Sequence, residues 1–234
     1  MSNITYEKGN MTITVAGVDD VARALGDLSA KTPAAVKVAI NATAREARKL
    51  MIEQAKARYA VNAAGQRHLQ DLRQRKKATN TNLSAELFIA KMRNDLGYFQ
   101  YQPTGIFTGA AALHRKGKVV RGRVLRSEQM KALTGKDRMS KGFVVEFKSG
   151  HVGMVQRHIG SSSRNTTTAR GYRRWTNAQG NVEKLVTMGS PSATAMHHTV
   201  WPYIEPQVED YLQQRLDAQV QRIIDRAEAK KVQR

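Results

Sequence analysis

A chain of 234 residues with 39 lysines and arginines against 19 aspartates and glutamates carries a formal charge of +20, which opposes compaction unless a polyanion or an acidic protein surface offsets it. The length suits one domain, with or without extended arms, and two full domains would each be small. With no cysteine there is neither a disulfide framework nor a thiolate metal site, so packing or assembly must hold the fold, as a reducing cytoplasm permits.

The first stretch, MSNITYEKGNMTITVAGV, has no basic segment followed by an apolar one, and no run in the chain approaches about twenty apolar residues. The expectation is a protein that neither carries a standard secretory signal nor spans a membrane. MTITV, residues 11–15, reads as a short strand, and Asp19 or Asp20 is placed to cap a short helix running to about Ser29. Thr32 ahead of Pro33 marks a long helix: proline at the first helical position gives up no needed N–H, and the threonine hydroxyl can accept from the free amides behind it. That helix should reach about Tyr59. Val36, Ile40, Ala44, Ala47, Met51 and Ala55 form one narrow stripe along it, with Lys37, Arg45, Arg48, Lys49 and Lys56 largely off it. A stripe of small residues lets a helix sit close to a sheet.

Asn62, in VNAAG, is placed to cap a further short helix. DLRQRKKATNTNLSAELFIAKM then offers a basic stretch, a polar turn and a half-buried strand with Leu83, Ala85, Leu87 and Ile89 on one face. From Pro103 to Lys141 glycine is frequent and ten basic residues are offset only by Glu128 and Asp137; KVVRGRVL reads as a basic strand inside a long, partly flexible loop. In KGFVVEFKSGHVGMVQRHIG, residues 141–160, a turn at Ser149 and Gly150 would set Phe147 opposite Val152, Val145 opposite Met154 and Phe143 opposite Gln156, giving a hairpin with one apolar face. The next passage, SSSRNTTTARGYRRWTNAQGN, is polar and rich in turn formers, an exposed loop or arm whose Tyr172 and Trp175 need a partner surface. Pro202 and Pro206 set the expected start of a C-terminal helix with Val208, Leu212, Leu216, Val220, Ile223 or Ile224, and Ala227 on its stripe.

Signs of catalysis and metal binding are few. His197 and His198 are neighbours and point in different directions, and His151 and His158 are an odd number of strand positions apart, so they fall on opposite faces. ALTGKD lacks the upstream glycine and the Ser or Thr of a phosphate loop, and SPS at 190–192 lacks the glycines of a nucleophile elbow. Asp19, Asp20 and Glu146 would make a nuclease cluster only by a tertiary coincidence. No catalytic, metal or cofactor residue is assigned. The basic residues are the stronger signal: Arg73, Arg75, Lys76 and Lys77, and the run containing Arg115, Lys116, Lys118, Arg121, Arg123 and Arg126, suit salt-sensitive phosphate contact without base reading.

Four passages resemble, in the right order, the minor tail protein Z family of tailed phages, the tail completion proteins, and more distantly the head-tail joining proteins. They are PAAVKVAINATAREARKLMIEQAKARYAV, RQRKKATNTNLSAELFIAK, VGMVQRHIG with its Gln156–Arg157 pair, and LVTMGSPSATAMHHTVWPYIEPQVEDYLQQRL. GSPS stands where the family has a tighter Gly-Pro-Ser, and segments 104–141 and 161–181 are longer than the family requires. The resemblance implies an α+β fold, a small antiparallel sheet or open barrel packed by a long N-terminal and a C-terminal helix, as one domain over 1–234 with long basic loops. It implies a virion protein made in the host cytoplasm and placed at the tail or neck, where it forms a homo-oligomer, a ring or plug, beside tail tube or terminator proteins. Genomic DNA would lie near the basic residues, and Gln156, Arg157, Tyr172 and Trp175 would face neighbouring subunits. The charge alone equally suits an RNA-binding protein of ribosomal type.

Overall fold

A computed structural model describes residues 4–7, 9–89, 95–102, 107–108, 120–133, 143–161 and 182–232, with side chains left out of that description at 107–108, 156–161 and 182–186. The protein is α+β: a long N-terminal helix, a longer C-terminal helix and small, mainly antiparallel sheets. The chain divides into two compact units, Met1–Lys56 with His68–Met92 and Ser192–Arg234, and Ala57–Arg67 with Arg93–Pro191.

The first unit opens with a hairpin, β1 (Ile4–Glu7) and β2 (Asn10–Ile13), of which β2 matches the expected strand. Helix α1 (Val18–Leu25) is not capped by an aspartate; the Gly17 carbonyl takes the Asp20 and Val21 amides, and Asp19 and Asp20 sit in the first turn, where carboxylates favour the helix dipole. A 3-10 turn, Gly26–Lys31, runs directly into α2 (Thr32–Arg58). Thr32 already has helical angles and its hydroxyl, buried, bonds to nothing, so the cap expected of it is not made; its own N–H is taken by Ser29. The continuous backbone has replaced the side-chain cap.

All six residues of the alanine-rich stripe on α2 are buried, and Ala35, Ala39, Thr43 and Ile52 widen it. The helix is tied to the strand that follows α3 (Ala63–Leu69). Arg48 donates to the Leu72 and Gln70 carbonyls at 2.5 and 2.9 Å, and Asn41 bonds the Ala78 amide and carbonyl, both at 3.0 Å. The basic stretch is itself a strand, β3 (Leu72–Lys76), pairing with β4 (Ala85–Ile89) to complete a sheet of order β1-β2-β4-β3. Its inner face carries Met11, Ile13, Leu72, Ala85, Leu87 and Ile89, all buried.

The C-terminal helix begins earlier than the prolines suggest. The strand β10 (Val152–Ser161), described below, pairs with β11 (Val182–Thr187), after which Ser192 accepts the Ala195 amide at 3.1 Å and starts the helix Ala193–Val232, here α4. Pro202 and Pro206 lie inside it and are exposed, as is His198, so the helix-ladder bonds they remove fall on its outer side. Met196, His197, Val200, Trp201 and Ile204 are buried around these turns, and that burial offsets the cost of the two prolines, about 3 kcal/mol each.

In the second unit, residues 59–62 after α2 act as a strand-like tie. Ala60 donates to Val124 at 2.8 Å and accepts from Gln100 at 2.7 Å. This places β5 (Gln100–Gln102), which pairs with β7 (Arg121–Arg123), itself paired with β8 (Lys131–Ala132). The basic strand expected within KVVRGRVL is thus real but short. The remaining sheet has the order β11-β10-β9-β6, where β6 is Phe107–Thr108 and β9 is Phe143–Glu146; β6 is its single parallel strand.

The β9–β10 hairpin forms, but one residue out of the expected register: Val145 faces Gly153, Val144 faces Met154 and Phe143 faces Val155. The cause is the turn. Phe147 N–H bonds to the His151 carbonyl and Gly150 N–H to the Phe147 carbonyl, both at 2.8 Å, and Gly150 has φ +72°. That is a three-residue loop ending in a left-handed glycine, where the expectation assumed two residues. The shift separates the predicted apolar set. Phe143, Val145 and Val155 pack with Phe147 on one face, while Val144 and Met154 pack with Val120, Leu96, Tyr101, Leu133, Val152 and Met188 on the other.

Candidate functional site

Two kinds of residue could carry function: exposed basic groups and a buried polar network in the second unit. Arg73, Arg75, Lys76 and Lys77 lie on or just beyond β3, an edge strand, and all four are exposed. Strand alternation turns Arg73 from the core while Leu72 enters it, and a register shift between Gln74 and Lys76 sets Lys76 opposite Glu86 on the outer face; charge on an edge also discourages pairing with a stray strand. Arg73 is paired with Asp71 at 2.6 Å and Lys76 with Glu86 at 2.7 Å, and the Arg75 guanidinium lies 5.9 Å from the centre of the Phe88 ring.

Of the second basic group, Arg115, Lys116 and Lys118 lie outside the described residues. Arg121 and Arg126 are exposed, and Arg126 also donates to the Tyr59 carbonyl at 3.3 Å. Arg123 has a structural task. Its guanidinium grips Gln100 Oε1 with two N–H groups at 2.9 and 2.7 Å and reaches the Arg126 and Glu128 carbonyls at 3.3 and 3.4 Å, holding the 124–128 turn against β5. Gln156 and Arg157 stand on β10 opposite Val186 and Leu185, their side chains outside the description, and Tyr172 and Trp175 lie outside the described residues.

The polar network centres on Asp95, which sequence reading passed over. It caps the 3-10 turn Leu96–Tyr98. Its Oδ1 accepts from the Gly97 and Met154 amides at 2.7 and 2.9 Å, and its Oδ2 from His151 Nε2 at 2.7 Å. The carboxylate is 1 % exposed, so three donors are what make its burial tolerable. With Nε2 donating to the carboxylate, His151 Nδ1 in the neutral ring accepts from the Tyr98 hydroxyl at 3.3 Å. The Phe147 ring lies nearly parallel to His151, 7° between planes and 5.8 Å between centres. Gly153 is required here, because a Cβ at that position would stand 2.4 Å from Asp95 Oδ2.

Carboxylate, imidazole and hydroxyl in series have the connectivity of an activated nucleophile. Tyr98, however, is only 8 % exposed, and every polar atom of the Asp95 carboxylate is engaged with the chain itself. The arrangement works as a latch, fastening the turn at 95–98 to β10 and to the hairpin tip. A signal for it existed in the sequence: aspartate two residues before a glycine, in NDLG, is a turn-capping pattern.

The other histidines follow their neighbours. His197 is fully buried and donates from Nε2 to the Leu69 carbonyl at 3.3 Å, while Nδ1 is buried without a partner; burial pushes its pKa down to about 4. His198 is exposed, as expected of an adjacent helical residue. Tyr6, which donates to the Thr194 carbonyl and stacks near Trp201, has its pKa raised by burial, and Tyr101 is raised by burial and by the Asp95 charge.

Among the described residues no three histidines, aspartates or glutamates are grouped to hold a metal ion. Asp20 pairs with Arg23, and Glu146 is exposed in the other unit. Among the described residues, too, no helix is long and apolar enough to cross a membrane. Compared with known proteins, the chain matches no family model, no curated protein and no solved structure.

Proposed function

We propose that the protein is a structural virion protein of a tailed phage that completes the head-proximal end of the tail and helps join tail to head, acting by assembly rather than catalysis. The observation that carries the reading is where the four family-like passages fall. They supply the 27-residue α2, the β3–β4 hairpin, the β9–β10 hairpin's second strand and the Ser192-capped start of the 40-residue α4, which are framework elements and not loops. A shared order of framework elements bears on the fold, and the role follows from it by analogy.

Genomic DNA is the natural counter-charge for a formal charge of +20. Exposed Arg73, Arg75, Lys76 and Lys77, on an edge strand, suit loose backbone contact that does not grip a sequence. The partners on this reading are tail tube or terminator proteins and further copies of the chain.

Electron microscopy of particles assembled without the protein tests it. Tails that fail to join filled heads are expected; normal tails joined to filled heads overturn the proposal. Sedimentation with ribosomes in place of phage particles would favour the ribosomal alternative.

A further inference from the structure

Along the first unit, α1 and the middle of α4 leave a groove of about 420 Å³. Val15, Val21 and Ala24 on one side and Leu216 and Val220 on the other form its floor, and Asp20, Gln213, Asp217 and Gln221 its rim. Asp20 is engaged by Arg23, whereas the hydrogen-bonding partner of Asp217 is the neutral amide of Gln213 at 3.0 Å. A groove with an apolar floor and a polar, acidic rim, on a chain of charge +20, suits an occupant with one apolar residue flanked by cations.

The same chain presents such a segment. Val232 is 87 % exposed, more than any other large hydrophobic residue described, and it directly follows Lys230 and Lys231 in the last turn of α4. It cannot reach the groove of its own molecule. Val232 is twelve residues beyond Val220 on one continuous helix, about 18 Å along its axis, and a helix does not fold back on itself.

We infer that the α1–α4 groove receives the C-terminal tip of α4 from a second copy of the chain, with Val232 meeting the apolar floor and Lys230 or Lys231 meeting Asp217. The contact joins two different surfaces, so it is heterologous: repeated copies generate a closed ring if the rotation closes and a filament if it does not. Such a small contact gives association in roughly the micromolar range or weaker, becoming tight only where several copies close on each other. The inference stands on the groove and the tip and does not depend on the virion reading.

Absence of cysteine makes the test clean, since any thiol introduced is the only one present. Ala24→Cys and Val232→Cys are made as separate full-length variants, shown folded by circular dichroism, mixed, and treated with a short bismaleimide. A mixed dimer at well over twice the yield of either homodimer, the ratio random collision gives, is expected. Asp217→Lys in the groove partner should cut its yield roughly tenfold, and Lys230→Asp with Lys231→Asp in the tip partner should restore it. The inference is overturned by a mixed yield no higher than twice either homodimer, by indifference to Asp217→Lys, or by failure of the charge exchange to restore the product. Predominant Val232→Cys homodimer would show a tip-to-tip contact and overturn it equally.

Discussion

His197 couples the first unit to pH. Its folded pKa of about 4 lies below the 6.5 of an exposed imidazole because the ring is buried and Nδ1 has no partner to support a proton. Between those values the unfolded chain binds the proton that the folded chain refuses, so the stability contribution is complete above the unfolded value and is lost as pH falls toward the folded one. Two and a half units correspond to about 3 kcal/mol in full, of which about 2 kcal/mol is lost between pH 7 and pH 5. Trp201, buried one turn along the same helix, reports on this unit by its fluorescence in a Trp175→Phe background. The assay is urea unfolding at pH 7 and pH 5 of that protein and of its His197→Gln variant, whose amide can still donate to Leu69. The histidine form should lose about 2 kcal/mol more than the glutamine form over that interval. Equal losses would refute the reasoning, whatever the glutamine costs by itself.

Two further changes probe the latch and the cap. Asp95→Ala strips the acceptor from two buried amides and from His151, and should destabilise the second unit by about 3 kcal/mol or more, read as faster hydrogen exchange at Gly97 and Met154 with the first unit unchanged. Ser192→Ala removes the hydroxyl that accepts the Ala195 amide and should cost about 1 kcal/mol in the first unit; no change in the exchange of Ala195 would show that another group caps the helix.

Where periodicity is long and one-sided, the sequence read well. The stripe from Val36 to Ala55 is buried without exception, and of the alternation Leu83, Ala85, Leu87, Ile89 the last three enter the core, while Leu83 precedes β4 and is half-buried. End signals fared worse, because backbone and burial compete with side-chain caps. Thr32 was superseded by a preceding 3-10 turn, and Pro202 and Pro206 were absorbed because Val200, Trp201 and Ile204 hold those turns inside. The basic character of LRQRK hid an edge strand, since an edge exposes alternate residues and needs few apolar ones. Asn62 was legible as a cap, its side chain accepting the Gly65 amide at 3.0 Å, yet it also donates to Gly97 and Phe99, partners thirty-five and thirty-seven residues away that no local pattern reveals. Asp95 is the same case in stronger form: its partners at 151 and 154 are brought to it by the hairpin.

The hairpin offers a sharper test of what sets its register, the loop or the faces. Lys148, Ser149 and Gly150 form a three-residue loop that sets Phe147 opposite His151, and Ser149→Asn makes Asn-Gly at 149–150, a two-residue turn sequence that favours Lys148 opposite His151 and so Phe147 opposite Val152. In that register Val145 would face Met154, taking Met154 from Val120 and Val144, and His151 would leave its place beside Phe147 and Asp95. The loop therefore favours one pairing while both packed faces and the carboxylate favour the other. If the faces govern, the variant keeps the native pairing and the three-residue loop; if the turn sequence governs, the latch breaks. Three donors and a buried methionine outweigh a turn preference, so the native pairing should persist, with stability changed by no more than about 0.5 kcal/mol and slow exchange still seen at the Met154 amide. Loss of that protection, with new cross-strand proximity of Phe147 and Val152 in nuclear Overhauser spectra, would show that the loop sets the pairing and that Asp95 follows it.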